Sequence, residues 1–425
     1  MRNPWNTVRL GDTVAIAFSG VDKHIIPGER SVRLCNYLDV YRNRRLTKEM
    51  RFSEGSATPT EIARFTLRRG DLVITKDSET PDDIAVPALV EDDLDGVVCG
   101  YHLALLRPEN ANVSPRFLLH NLQSDLTKRH FLRTANGVTR FGLGLRAIAS
   151  LVIPLPPHDE QAAIADILDA LDTALERTRV AVERARELRT SLIQRLLVYG
   201  VRGEKQRRSA AGFIPRSWSC APLGEFIEDG PTNGVYRPES DYAPHGMPIV
   251  RIDDFEDGRM KNIDRLRRAV VPPSVQTRYA LTRDDVLINR VNSLSHIGKA
   301  TLVPSLQEPT IFESNMMRVR CGPHLLPEFL NTVLCSNIAR KHWLARAKPA
   351  VNQASINQRD VCELPIPIPP AEEQNEIIRI LSVVEKQIDS LDHARAGQDQ
   401  LKRSLLHDLL TGRVRVGEAT KMDAS

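Results

Sequence analysis

The stretch "IPLPPHDEQAAIADILDALD" (153–172) and its near-copy "IPIPPAEEQNEIIRILSVVEKQID" (366–389) decide how the rest of the chain is read. In each, a short apolar run ends on a proline pair, Pro156-Pro157 and Pro369-Pro370. Proline is tolerated just ahead of a helix or in its first turn and not inside one, so both pairs mark helix starts. Acids follow at once, Asp159 and Glu160, then Glu372 and Glu373, where the helix dipole favours negative charge. Beyond them Ile164, Leu168, Leu171, Leu175, Val182, Leu188, Leu192 and Leu196 recur at spacings mostly of three and four. Ile377, Leu381, Val384, Ile388, Leu391, Leu401, Leu405 and Leu409 draw the same stripe in the second copy. That is a coiled-coil period. Helices of about 40 residues, roughly 60 Å long, are too long to hide in a small domain. Two matching stripes tethered in one chain satisfy each other best as an antiparallel pair, with pairing between chains as the alternative. The stripe weakens at Thr178 and Ala185, and again at Arg395, Gly397 and Gln398.

Working outward, the duplication covers the whole chain. Trp5 and Leu10-Gly11-Asp12 reappear as Trp218 and Leu223-Gly224-Glu225, displaced by 213 residues. "FTLRRGDLVITK" (65–76) returns as "YALTRDDVLINR" (279–290), displaced by 214. Landmarks that hold one offset across half a chain identify a tandem repeat, and repeats govern the architecture. The order is a mixed segment 1–155, a helical spacer 156–200, a linker 201–214, a second mixed segment 215–368, a second spacer 369–412 and a tail 413–425. The mixed segments carry strand-like runs, "DLVIT" (71–75), "GVVCGYHLALL" (96–106), "MPIVRI" (247–252), "DVLIN" (285–289) and "MMRVR" (316–320). Helical pieces 114–132 and 326–344 follow in register. The expected fold is α+β: a mixed domain followed by a long helix, twice over, with the two helices packed as an antiparallel coiled coil.

Composition bounds the function. A chain of 425 residues, 41% hydrophobic and 26% charged, is globular and divides into two or three domains. The 58 Lys+Arg against 54 Asp+Glu leave only +4, so distribution matters more than the sum. Basic runs such as Tyr41-Arg42-Asn43-Arg44-Arg45 and Arg265-Leu266-Arg267-Arg268 fall in loop-like stretches while acids gather at helix starts. That segregation suits a polyanionic partner, and equally a solvated charged face. Six scattered cysteines, Cys35, Cys99, Cys220, Cys321, Cys335 and Cys362, offer no metal spacing and fit a reducing compartment. No apolar run approaches the roughly 18 residues needed to cross a bilayer, and a cytoplasmic protein without membrane contact is expected.

Reading bases requires cations for phosphates and Arg, Lys, Asn or Gln for base edges, carried on loops over a rigid sheet. In the first copy Arg33, Asn36, Arg42, Arg44, Lys76, Thr139 and Arg140 qualify. In the second, Arg251, Asp253, Asn289, Arg290, Asn292, Lys299, Asn352, Gln353 and Ser355 do. Lys76 and Arg290 occupy similar places in "ITK" and "INR". No catalytic residues or metal ligands emerge. "HIGKA" (296–300) lacks the upstream glycine and following hydroxyl of a phosphate loop, and "FGLG" (141–144) is answered by "NQAS" in the other copy. No HExxH, GxSxG or calcium-loop pattern occurs.

The duplicated Pro-Pro, Glu-Gln, aliphatic-helix motif, the repeated Trp and Leu-Gly-acid opening, and the terminal "LLHDLLTGRVRV" (405–416) resemble the specificity (S) subunit of type I restriction-modification systems. The resemblance covers nearly the whole chain. It implies that segments 1–155 and 215–368 are target recognition domains, each reading one half of a bipartite, asymmetric double-stranded DNA site. It implies that the helices act as a ruler between the halves and dock two methyltransferase (M) subunits. Two restriction (R) subunits complete such complexes. S-adenosylmethionine, ATP and Mg²⁺ are then expected on those partners, with adenine as the methylated base and no cofactor on this chain. Two rivals remain at this point: a free-standing DNA-binding scaffold with the same architecture, and a single-chain nuclease or methyltransferase. Copurification with an M subunit separates the first, and activity of the isolated chain on DNA the second.

Overall fold

The computed structural model describes residues 5–109, 112–261, 263–350 and 353–416. The chain forms two compact units, Met1–Arg179 with His393–Ser425, and Val180–Asp392. Both long helices form, His158–Tyr199 and Ala371–Leu410, of 42 and 40 residues. The units nevertheless cut across the expected succession of domain and spacer, because each takes one recognition segment plus one end of either helix. A helix end packs with whatever buries its apolar stripe, whichever segment precedes it in sequence.

In the first unit a five-stranded sheet runs in the order Val14–Phe18, Leu103–Pro108, Leu72–Thr75, Pro87–Val90, Arg45–Leu46. Its last pair is parallel and the others antiparallel. The second unit repeats the order and senses with Ile227–Asn233, Met316–Cys321, Val286–Asn289, Ala300–Leu302, Gly258–Met260, and adds Phe255–Glu256 at the edge. The central strands are apolar on both faces because each sheet separates two cores. Leu72 and Ile74 join one cluster and Val73 the other; Val286 and Ile288 join one and Leu287 the other. Such a strand reads as a continuous apolar run rather than an alternation.

Two sequence segments divide. "GVVCGYHLALL" becomes two strands, Val97–Cys99 and Leu103–Pro108, in different sheets, turned by His102 at a φ of +69°. The expected helix over 114–132 is two helices, Pro115–Gln123 and Asp125–Thr134. Ser124 ends the first and caps the second by accepting the Thr127 amide at 3.2 Å. Ser336 likewise caps Asn337–Arg346 after Pro327–Leu334. Serine competes for backbone groups, and that competition ends helices that propensity alone would continue.

The Pro-Pro-Glu-Gln corner shows why the motif is repeated. In each copy the opening strand pairs antiparallel with the run before the prolines, Asn6–Arg9 with Val152–Leu155 and Ser219–Pro222 with Pro365–Ile368. The segment's two ends therefore meet at the helix start. The Trp5 indole N–H donates to Glu160 at 3.2 Å, and that of Trp218 to Glu373 at 2.9 Å. Gln161 and Gln374, each about 1% exposed, satisfy three backbone groups apiece. Gln374 donates to the carbonyls of His324 and Pro369 and accepts the Leu326 amide; Gln161 does the same with Asn112, Pro156 and Ser114.

Within each unit the two long helices run antiparallel, the start of one against the end of the other. In the first, Ile164 and Leu168 pack with Leu406, Leu409 and Leu410 over Phe117, flanked by half-buried Leu405, while Leu171 and Leu175 are half-buried too. In the second, Ile193, Leu196 and Leu197 share a core with Ile377 and Leu381; Val182 and Ile388 are buried, and Leu192, Val384 and Leu391 half-buried. The expected seam fails at two equivalent places. Leu188 is 57% exposed and Leu401 50%, and the next residues, Arg189 and Lys402, turn inward instead. A 3.6-residue helix drifts against a seven-residue repeat, so of two adjacent candidates the sequence did not say which faces the partner. The segment 201–214, expected as a linker, instead builds a hairpin, Gln206–Ser209 with Gly212–Pro215, whose Ile214 is fully buried.

Candidate nucleic-acid interface

One backbone junction occurs in both units. After the central strand Leu72–Thr75, Lys76 donates its amide to the His102 carbonyl at 3.0 Å, and its own carbonyl accepts from Leu143 at 2.8 Å. After Val286–Asn289, Arg290 donates to the Asn315 carbonyl at 2.8 Å and accepts from Ile356 at 2.9 Å. The next two residues then pair in the same register, Asp77-Ser78 with Phe141-Gly142, and Val291-Asn292 with Ala354-Ser355. The strand Lys348–Ala350 extends the second pairing to three strands.

The first unit's junction presents Lys76, Thr139 and Arg140 together, with Thr139 and Arg140 exposed. The Lys76 ammonium pairs with Asp77 at 2.9 Å and lies 5.7 Å from the Phe18 ring centre and 5.0 Å from that of Tyr101. Tyr101 is 48% exposed beside His102, whose Nδ1 is 2.7 Å from Asp77. Burial pushes the Asp77 carboxyl up, but the bonds from His102 and Lys76 outweigh it and hold it below its ordinary value. Sequence reading missed Tyr101 and His102. An aromatic residue inside an apolar run looks like core until a turn ejects it.

The second junction gathers Arg290, Asn292, Gln353 and Ser355 on its small sheet. Asn352 lies outside the described residues. The Arg290 guanidinium donates to the Ser314 carbonyl at 3.2 Å, and Asn292 accepts the Ser293 amide at 2.8 Å. Arg251, Asp253, Asn289 and Lys299 are not in that small sheet: Asn289 ends the central strand just before Arg290, and its amide donates to the Lys299 carbonyl at 2.8 Å. Asn289 is fully buried, a correction to its expected place at a surface. Its strand is covered on both faces, and the alternation that would expose its side chain does not apply. Lys299 sits 5.0 Å over Phe255, and burial pulls its pKa down. Arg251 reaches Glu313 at 3.5 Å, and burial raises the Glu313 pKa. Asp253 is exposed nearby. Tyr242, 3.9 Å from the Arg267 guanidinium, is another aromatic that sequence reading missed.

The remaining first-copy candidates are not brought together with this junction. Arg33 is exposed and bonds the Asp95 carbonyl, and Asn36 forms a capping box with Asp39. Arg44 turns inward to Asp172 and Gln123, and its neighbour Arg45 to Glu91 and Asp169. Arg42 is exposed. The second basic run is likewise paired, Arg267 with Glu239 and Arg268 with Glu308. Acids distant in sequence thus pair with two arginines of each run, which a local count of charge does not reveal, while Arg42 and Arg265 stay exposed.

Inside the first unit, His120, Asp169 and Asp172 bring ligand-type atoms within 4.8 Å of one another. Arg44, Arg45, Arg116 and Lys402 already occupy those carboxylates, so a cation entering there meets positive charge. Burial drives the thiols of Cys99 and Cys321 up to about 12 and that of Cys335 to about 11, which keeps them protonated packing groups. No helix among the described residues is long and apolar enough to cross a membrane.

A family model described as type I restriction modification DNA specificity domain matches residues 69–184 and 218–396, one span in each copy. The chain is 24% identical over 365 residues to the putative type I restriction enzyme MjaX specificity subunit of Methanocaldococcus jannaschii, covering 84% of this chain and 81% of that one. It is 27% identical over 327 residues to the EcoKI specificity subunit of Escherichia coli K12, covering 75% and 68%. In fold it resembles the type I restriction-modification S subunit of M. genitalium, with a TM-score of 0.54 at 14% identity over 96% and 97% of the two chains. A chain from a structure of type I R-M complex assembly and conformational transition gives the same score at 20% identity over 97% and 99%. With the family model spanning more than half of its residues and both of its repeats, the chain belongs to the type I restriction modification DNA specificity domain family.

Proposed function

We propose that this chain is the DNA-reading subunit of a type I restriction-modification complex, supplying the address and none of the chemistry. The observation that carries the proposal is the duplicated junction: one backbone frame, built once per unit, that holds different side chains at matching positions. Such a pair suits a two-part, asymmetric double-stranded target, with each unit reading one half. Reaction chemistry then belongs to partners: two M subunits that take S-adenosylmethionine and methylate adenine, and two R subunits that use ATP and Mg²⁺. The cytoplasm, where DNA is accessible, is the expected location.

Methylome sequencing of a host expressing this chain with its M partner tests the reading. The expected result is one split motif bearing methyladenine. Absence of any motif that depends on this chain, or DNA cleavage or methylation by the chain alone, would overturn it.

A further inference from the structure

The two junctions can be compared position by position, because their backbone bonds coincide at the repeat offset. Lys76 stands where the second unit has Arg290, Tyr101 where it has Ser314, and His102 where it has Asn315. Arg140 stands where the second has Gln353, and Asp77 where it has Val291. The frame is constant, and apart from a cation at the end of the central strand what it presents changes.

We infer that Tyr101 and Arg290 determine base specificity, each for a different half-site; the inference deepens the proposed function and rests on it. In the first unit the half-exposed Tyr101 ring stands over the Lys76 ammonium, with His102 and Asp77 bracing the turn that carries it. An aromatic edge held on a rigid turn can meet a thymine methyl or a sugar face without reorganising. In the second unit the ring is replaced by serine, and the cation at the same backbone position is a guanidinium that bonds the Ser314 carbonyl. A guanidinium has five donors, so it keeps several for an acceptor pair on a base edge, which an ammonium cannot match in geometry. The same frame thus offers an apolar edge at one of its positions in the first unit and a planar donor fork at another in the second. In the basic runs Arg42–Arg45 and Arg265–Arg268, by contrast, Arg44, Arg45, Arg267 and Arg268 are paired with acids of their own units.

The test uses the complete chain with its M partner and compares methylomes of the wild type, Tyr101→Ser, Arg290→Lys and, as a control, Arg268→Ala. Tyr101→Ser should relax one base of one half-site, lowering discrimination there roughly ten- to hundredfold, and leave the other half intact. Arg290→Lys should do the same to the other half only, and Arg268→Ala should leave the motif unchanged. An unchanged motif in either Tyr101→Ser or Arg290→Lys overturns the assignment of that residue, as does relaxation of both halves by it. Because Tyr101 is half exposed, its loss leaves the core standing. Loss of all methylation in that variant overturns the Tyr101 assignment, and Arg290→Lys alone then decides that of Arg290. A wild type with no split motif rejects the DNA-reading function itself, a separate outcome visible before any variant is compared.

Discussion

At the scale of single residues, the strongest commitments are buried polar groups with full sets of partners. Gln374 is 1% exposed and closes three backbone bonds at the helix start. Gln374→Leu strands those groups, and an unmade buried bond costs about 1–3 kcal/mol. The denaturation midpoint of the chain should fall accordingly, and an unshifted midpoint would contradict the role given to this side chain. Charge makes a second prediction. Burial raises the Asp169 carboxyl, but bonds from His120, Arg116 and Arg45 win and hold it well below the usual carboxylate range. A depressed folded value stabilises above the unfolded value of about 4 and is lost as pH falls through the folded one. Burial also lowers the His120 imidazole, so its contribution is complete above about pH 6.5 and declines below it. Asp169→Asn should therefore lower the midpoint at pH 7, with the gap to wild type closing as the medium is taken well below pH 4.

At the scale of elements, the long helices meet through a matched pair of ionic contacts. Lys402 bonds Asp172 at 2.5 Å in the first unit, and Arg189 bonds Glu385 at 3.0 Å in the second. The two contacts are related by the 213-residue repeat at both partners, Asp172 with Glu385 and Arg189 with Lys402. Apolar stripes alone tolerate sliding; a charge facing inward toward an acid on the other helix does not. Removing one partner leaves the other charge desolvated. Glu385 is a third exposed, so Glu385→Gln should destabilise by roughly 1–3 kcal/mol, less than a fully buried pair would give. Replacing both, Arg189→Met with Glu385→Leu, should recover most of that loss. A double-mutant cycle with no coupling would reject the contact as a register device.

At the scale of the whole molecule, DNA association should weaken steeply with salt, because phosphate neutralisation releases counterions. Between 50 and 200 mM salt, affinity of the assembled complex should drop on the order of a thousandfold. A flat salt response would argue against backbone contacts as the source of affinity. The duplication, both long helices, their apolar stripe and the α+β class were legible in sequence, because Pro-Pro corners and a constant offset are local signals. Of the candidate site, the sequence placed Lys76 and Arg290 at matching positions, and folding brings Thr139 and Arg140 near the first and Asn292, Gln353 and Ser355 near the second. The partners of Arg44 and Asn36, Asp172 in a distant helix and Asp39 in a capping box, become visible only on folding.

By itself the sequence determined that one module is written twice, that each copy ends in a long helix beginning at a proline pair, and that the two helices carry complementary stripes. Those properties depend on spacing along the chain, which no folding event alters. The tertiary structure alone decided which cation faces solvent and which faces an acid, which of two adjacent residues enters the helix seam, and which aromatic a turn turns outward. Each of these depends on what lies opposite in space, and neutralisation, burial and exposure arise only when distant segments meet.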